Sequence, residues 1–217
     1  MCVAAMTIAC ASPVWAGMFD IVNNFANTMG ASRDVDALFA YTSSADATFK
    51  KSIDALFFVL GTEEDRVKIE LELKAANEIQ DPQEKESKMN EIAIEKEAAV
   101  KKAVNQADCQ NRCRALDSRK KALYAHAVYN VFLSGIYNFY AVQQGKILVQ
   151  KCSSNPVSCS VIALKLDRVA NIVMTVPNQI ANITNFAGAL VKIGSAADIE
   201  IQKPSSEKEQ PKEVDIG

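Results

Sequence analysis

Apolar residues recur three and four positions apart along most of this chain, the spacing of one helix face. A short helix is expected over 18–29, with Phe19, Val22, Phe25, Ala26 and Met29 on one side and Gly30 ending it. Polar residues dominate from there to Ser44. Phe49, Ile53, Leu56, Phe57 and Leu60 then open a longer helix that continues through Val67, Leu71 and Ala75 to about Gln80. Asp81-Pro82-Gln83-Glu84 combines an N-cap Asp, Pro at the first helical position and Glu at the third, so two helices meet there in a tight hairpin. From Pro82 the pattern runs long through Met89, Ile92, Ala99, Ala103 and Ala107, with an interruption expected over 105–108. It continues into a segment that is apolar nearly all round from Ala122, as a central helix is. Beyond a polar turn over 152–159, Asn155-Pro156 offers another cap. A last helix follows, with Ile162, Leu166, Val169, Ile172, Val173, Val176, Ile180, Ile183, Phe186 and Leu190 inward, and Pro177 is expected to kink it.

Charge sharpens this picture. Residues 63–121 carry 27 of the 50 charged side chains, whereas 122–145 and 169–191 carry none. Acid precedes base by four residues in Glu64/Lys68, Glu70/Lys74, Asp81/Lys85, Glu84/Lys88 and Glu97/Lys101, the favourable order on a helix surface. The segment 63–107 is therefore expected to be a charged helical-hairpin arm with a slim, Ala-rich seam, and the mobile end of the molecule. The charge-free stretches are long enough to span a membrane. Asn130, Ser134, Asn138, Gln143 and Gln144 punctuate one, and Asn171, Pro177, Asn178, Gln179, Asn182, Thr184 and Asn185 the other, which favours a protein core over a span. The expected fold is all-α: an elongated antiparallel helical bundle with a long central helix, one domain over 17–202, and a disordered tail over 203–217.

Composition and leader bound the compartment. Residues 1–16 form an apolar run ending in Val14-Trp15-Ala16, the small-residue pattern of a secretory cleavage site. The missing basic n-region implies a natural start further upstream. A lipidated Cys10 is disfavoured by Thr7-Ile8-Ala9. The expected location is periplasmic or secreted. Four cysteines remain past the leader: Cys109, Cys113, Cys152 and Cys159. An even count in an exported protein points to two disulfides, with Cys152–Cys159 favoured across a short polar turn. Cys109 and Cys113, four apart on a helix, would need a distortion or a cross-pairing.

Candidate chemistry is sparse. There is no phosphate-binding glycine loop, nucleophile elbow or haem motif, and the single histidine, His126, excludes multi-histidine metal sites. No catalytic residue, metal or other cofactor is expected. A net charge of −2 provides no polyanion-binding field, so nucleic acid is not an expected partner. Tyr124, Tyr129, Phe132, Tyr137, Phe139 and Tyr140 fall within 17 residues; they are core aromatics or the lining of a site for an apolar ligand. The expected function is non-enzymatic: a cell-envelope assembly or adaptor factor that binds a protein partner through helix faces, with homo-oligomers open to it. The competing expectations are a carrier of lipid or another apolar ligand in the bundle core, and a membrane-active, pore-forming helical protein.

Overall fold

The computed structural model describes residues 31–155, 159, 162 and 165–216. The leader expected over 1–16 and the short helix expected over 18–29 lie outside them. Six helices and no strand are found among the described residues: α1 (Ala31–Leu60), α2 (Glu63–Glu78), α3 (Pro82–Val104), α4 (Cys109–Arg114), α5 (Ser118–Ser154) and α6 (Leu166–Ala196). The all-α class and the bundle follow the apolar periodicity.

α5 is the central helix. It is buried almost continuously from Leu123 to Val142, and α1 and α6 pack antiparallel along it. Val35 and Leu38 at the start of α1 meet Leu148 near the end of α5, while Leu56 and Leu60 share the largest apolar cluster with Tyr124 and Ala127. On the other flank, Val169 and Val173 lie beside Gly145, and Leu190 and Gly194 beside Tyr124. A β-carbon at Gly145 would stand 2.6 Å from Val173 and 3.2 Å from Leu38, so glycine lets both neighbours close on α5 at that level. The largest cluster draws residues from all six helices. Asp34–Lys151 (3.0 Å), Asp36–Lys165 (3.2 Å) and Arg168 over the Phe39 ring (4.3 Å) rim the opposite end.

Four expectations are corrected. First, α1 begins at Ala31, so the polar run to Ser44 is helical. Its hydroxyls bond back into their own helix, Thr42 to the Phe39 carbonyl (3.0 Å) and, further on, Ser52 to that of Thr48 (2.7 Å), which lets small polar residues face the core. Second, the helix expected from Phe49 to about Gln80 is two. Gly61 has no space for a β-carbon, 2.6 Å from the Phe57 carbonyl, and Thr62 with Asp65 forms a capping box that starts α2. Third, the pattern from Pro82 is interrupted over 105–108 as expected but also at 115–117, where Asp117 caps α5 by accepting from the Lys120 N–H (2.8 Å), so the run is three helices. Fourth, Asn155 is the C-cap of α5 rather than an N-cap; Pro177 lies inside α6 with its ring exposed and does not interrupt the helix.

The hairpin forms as expected, with the Asp81 carboxylate accepting from Gln83 (2.9 Å) and Glu84 (2.8 Å). It is not a free arm. α3 lies along α1, tied by Lys96–Asp54 (2.6 Å) and by Ile92, which is buried against the core. Of the expected same-helix ion pairs, Glu70–Lys74 and Glu97–Lys101 form, while Lys68 and Lys88 instead cross the hairpin to Glu95 (2.6 Å) and Glu72 (3.4 Å). Met89 and Ala107, expected inward, are exposed. Arginines from the charged segment close helix ends: Arg66 and Arg112 donate to the Phe58 (3.0 Å) and Leu60 (3.3 Å) carbonyls of α1, and Arg114 to the Ala196 carbonyl of α6 (2.6 Å). Those carbonyls have no intrahelical partner, and a cation suits that end of the helix dipole.

Beyond α6 the chain turns back. Asp198 adopts φ 56°, and the Ile199 N–H bonds the Gly194 carbonyl (2.9 Å), a Schellman closure. Ile199 is buried, and Ile201 sits where a β-carbon on Gly194 would be, 2.5 Å away. Residues 203–216, expected to be disordered, instead lie along α5. Their polar composition is matched by polar partners on that helix, so little apolar burial is needed to hold them.

Candidate interaction surfaces

The aromatic positions of α5 do not converge on a cavity. Tyr124 is fully buried and donates its hydroxyl to the Leu190 carbonyl (2.7 Å); burial, then the nearby Cys113 and Cys109, pushes its phenol well above the ordinary range. Phe139 and Tyr140 meet edge to face, 6.0 Å apart, and Tyr41 of α1 stacks obliquely on Tyr137 (6.2 Å) and Tyr140 (5.9 Å). Phe132 is half-buried beneath the Lys203 ammonium (5.5 Å).

What these side chains hold is the C-terminal segment. His126, Asn130, Tyr137 and Tyr140 are spaced four, seven and three apart, so with Tyr129 they form one stripe along α5. Tyr140 bonds the Glu207 carboxylate, Tyr137 donates to the Glu209 carbonyl (2.8 Å), and Tyr129 donates to the Glu209 carboxylate. Asn130, only 1% exposed, donates to the Lys212 carbonyl (2.8 Å) and accepts from the Lys212 N–H (2.8 Å). His126 Nδ1 lies 2.9 Å from the Glu213 carbonyl, an atom that only accepts, so the imidazole carries its proton on Nδ1. The segment runs antiparallel to α5: from Tyr137 to His126 the helix rises about 16 Å, and four extended residues from Glu209 to Glu213 cover about 14 Å.

Charge is concentrated at Glu209. Its carboxylate also accepts from Ser205 Oγ (2.7 Å) and the Ser206 N–H (3.1 Å), and the Tyr129 hydroxyl foremost, then Ser205, hold it down at about 2. Burial, then the Glu209 bond, pushes Tyr129 up to about 12; burial, then the Glu207 charge, does the same for Tyr140. The Lys212 ammonium lies 4.6 Å from the Tyr129 ring centre. An open groove of about 710 Å³ separates this strap from α1, lined by Thr48, Lys51 and Ala55 on one side and Gln210 to Ile216 on the other. Tyr41, His126, Asn130, Glu209 and Lys212 were not among the residues singled out for a site from the sequence. A Tyr-and-amide stripe at helical spacing was the available signal.

A second surface lies on the hairpin. A groove of about 500 Å³ between α1 and α3 is floored by Phe49, Ile53, Leu73 and Ile92 and rimmed by Asp46, Asp54 and Lys96. At and around it Met89 is 41% and Ile94 67% exposed, and on α2 Val67 is 49% and Leu71 61% exposed. Elsewhere among the described residues only Val149, Met174 and Ile216 are large apolar side chains this exposed.

The cysteines divide. Cys152 and Cys159 are disulfide-bonded with Cα atoms 5.4 Å apart, as the turn spacing predicts. Cys109 and Cys113 are buried free thiols on α4, which corrects the expected second bridge: a regular helical turn keeps side chains four apart adjacent without bringing them to bonding distance. The two thiols interact: the contact with Cys113, then the Arg112 charge, lowers Cys109, while the same contact, together with burial, pushes Cys113 up. Among the described residues no group of three or more His, Cys, Asp or Glu side chains could hold a metal ion, and no helix is long and apolar enough to cross a membrane.

Comparison with protein families, curated proteins and solved structures finds no match to this chain.

Proposed function

We propose that this is an exported, non-enzymatic interaction protein, an adaptor or assembly factor of the cell envelope, which docks a protein partner through the α2–α3 hairpin. The observation that carries the reading is the set of four large apolar side chains, Val67, Leu71, Met89 and Ile94, left largely in water on a hairpin whose helices are otherwise fixed by ion pairs. Exposed apolar clusters rimmed by charge are where partners bind. The Cys152–Cys159 bond and the leader-like run over 1–16 support an oxidising compartment. The carrier alternative is disfavoured because the aromatic face that would line its site is engaged by the strap.

A photo-crosslinking residue placed at Leu71 or Ile94 in the native host should give one discrete adduct, and the same residue at Met174 none. Leu71→Glu with Ile94→Glu should abolish the adduct formed from Met89 while leaving the helical circular dichroism unchanged. No adduct from any hairpin position, or equal adducts from Met174, would remove the reading.

A further inference from the structure

The strap on α5 has the properties of a bound peptide. It is recognised mostly through its main chain: Asn130 takes both the N–H and the C=O of Lys212, and Tyr137 and His126 take the carbonyls of Glu209 and Glu213. Side-chain selectivity comes from the Glu209 carboxylate, which Tyr129 receives, and from the Lys212 ammonium over the Tyr129 ring. Residues 205–216 are themselves exposed or half-buried, so release of the strap withdraws Val214 from the core cluster and uncovers Asn130, Tyr129 and Tyr137 on α5 while the remaining core contacts stay in place. The core is sealed upstream of it by Ile199 and Ile201. The hinge is at Gln202 and Lys203, exposed and outside any helix, whose contacts belong to the strap and its face: Gln202 accepts from the Lys212 ammonium (2.5 Å) and Lys203 lies over Phe132, just before the buried Pro204.

We propose that the tyrosine-and-amide face of α5 is a receptor for this segment and that the strap is exchanged between copies, the C-terminal segment of a second copy binding in place of the chain's own. The occupant follows from what is seated there: a second copy carries the same Glu209 and Lys212 in the same register, so every contact made within one chain is available between two. The five residues from Gln202 to Ser206, extended at about 3.4 Å each, span about 17 Å, enough to reach the α5 of a copy packed directly alongside. Because the contacts are the same in either arrangement, the balance between closed single chains and linked copies is set by local concentration. A short flexible hinge gives an effective concentration in the millimolar range, so linking dominates only where copies are crowded together, or where the chain's own closure is impaired. Exchange of one element between identical chains joins them head to tail or in reciprocal pairs.

The test uses two full-length variants with opposite defects. Glu209→Lys with Lys212→Glu breaks the strap and keeps the receptor; Asn130→Ala with Tyr137→Phe breaks the receptor and keeps the strap. Labelled with a donor and an acceptor dye, each variant alone should remain monomeric at about 50 µM, and their mixture should give a 1:1 complex by energy transfer and sedimentation, since the intact strap of one fits the intact face of the other. A peptide spanning residues 203–216 should bind the strap-broken variant at least tenfold more tightly than it binds the wild type. If the receptor-broken pair of substitutions loses the helical signal, Asn130→Ala alone replaces it. Absence of a complex in the mixture, with the peptide also failing to bind the strap-broken variant, overturns the proposal. So does self-association of either variant alone to the same extent, which would locate the contact on another surface.

Discussion

Asn130→Ala is the sharpest perturbation of the strap, because one buried side chain satisfies both main-chain groups of Lys212. The amide is 1% exposed, and its two bonds are each 2.8 Å. A neutral hydrogen bond contributes about 0.5–1.5 kcal/mol net, so losing two should weaken strap closure by about 1–3 kcal/mol. At 1.4 kcal/mol per factor of ten, the opening equilibrium rises by roughly 5- to 150-fold. The Lys212 amide hydrogen reports this directly, since its acceptor is Asn130 Oδ1. In native-state hydrogen exchange its protection should fall by that factor while amides of Tyr124 to Val128 in the middle of the core keep theirs, because the strap opens as a local unit. Asn130→Asp should weaken closure too: a carboxylate can still accept from the N–H but sets a negative charge against the Lys212 carbonyl. The reasoning fails if the Lys212 amide exchanges at the free-peptide rate in the wild type, or if Asn130→Ala leaves its protection unchanged.

Closure of the strap should also depend on pH at two edges. The depressed Glu209 carboxyl contributes stability that is present above its ordinary value of 4.5 and lost as pH falls through about 2, and the raised Tyr129 phenol contributes stability that is present below 10.0 and lost as pH rises through about 12. Nuclear magnetic resonance titration of the two side chains should place their midpoints near those folded-state values; an ordinary midpoint for Glu209 would mean that it is not held. Alkylation with peptide mapping of residues 17–217 should label Cys109 and Cys113 only after denaturation, and Cys152 and Cys159 only after reduction; a Cys109–Cys113 link would contradict the structure. Leu56→Ala, at a fully buried site where α1 meets the core, should cost about 2–5 kcal/mol in urea unfolding, whereas Leu71→Ala on the exposed hairpin should stay within about 0.5 kcal/mol; equal losses would mean that the hairpin face is covered.

The bundle was legible because its long-range order is written in one period. α5 and α6 follow from charge-free, apolar stretches, and the Asp81-Pro82 hairpin from local capping chemistry. The first half of α1 was not legible, because its buried stripe includes Asp34, which becomes core-compatible only once α5 brings Lys151 to it, and its Thr42 bonds back to its own helix. Helix ends in the middle of the charged run were hidden for a related reason. Arg66, Arg112 and Arg114 look like solvated charges in sequence and become caps only when another helix brings its carbonyls to them. The strap was the largest surprise: a Lys-Pro-Ser-Ser-Glu composition has too little apolar surface to fold by burial. It is ordered by matching side chains some eighty residues earlier in the chain, such as Asn130 with Lys212, and that pairing leaves no local signature. The aromatic cluster was correctly located on α5, but its partner could not be read from composition.

The backbone dynamics of the C-terminal segment test most directly the claim that the α5 face is a peptide receptor occupied by the chain's own strap. Nitrogen relaxation on the full-length protein gives an order parameter for each amide, near 0.85 for rigid backbone and below about 0.6 for a flexible tail. The seated strap predicts values for Glu209, Lys212 and Glu213 close to those of Asn130 and Tyr137, falling together in Asn130→Ala. Values below about 0.6 throughout residues 203–216 of the wild type, with α5 rigid beside them, would contradict it and return the tyrosine stripe to the status of an unoccupied surface.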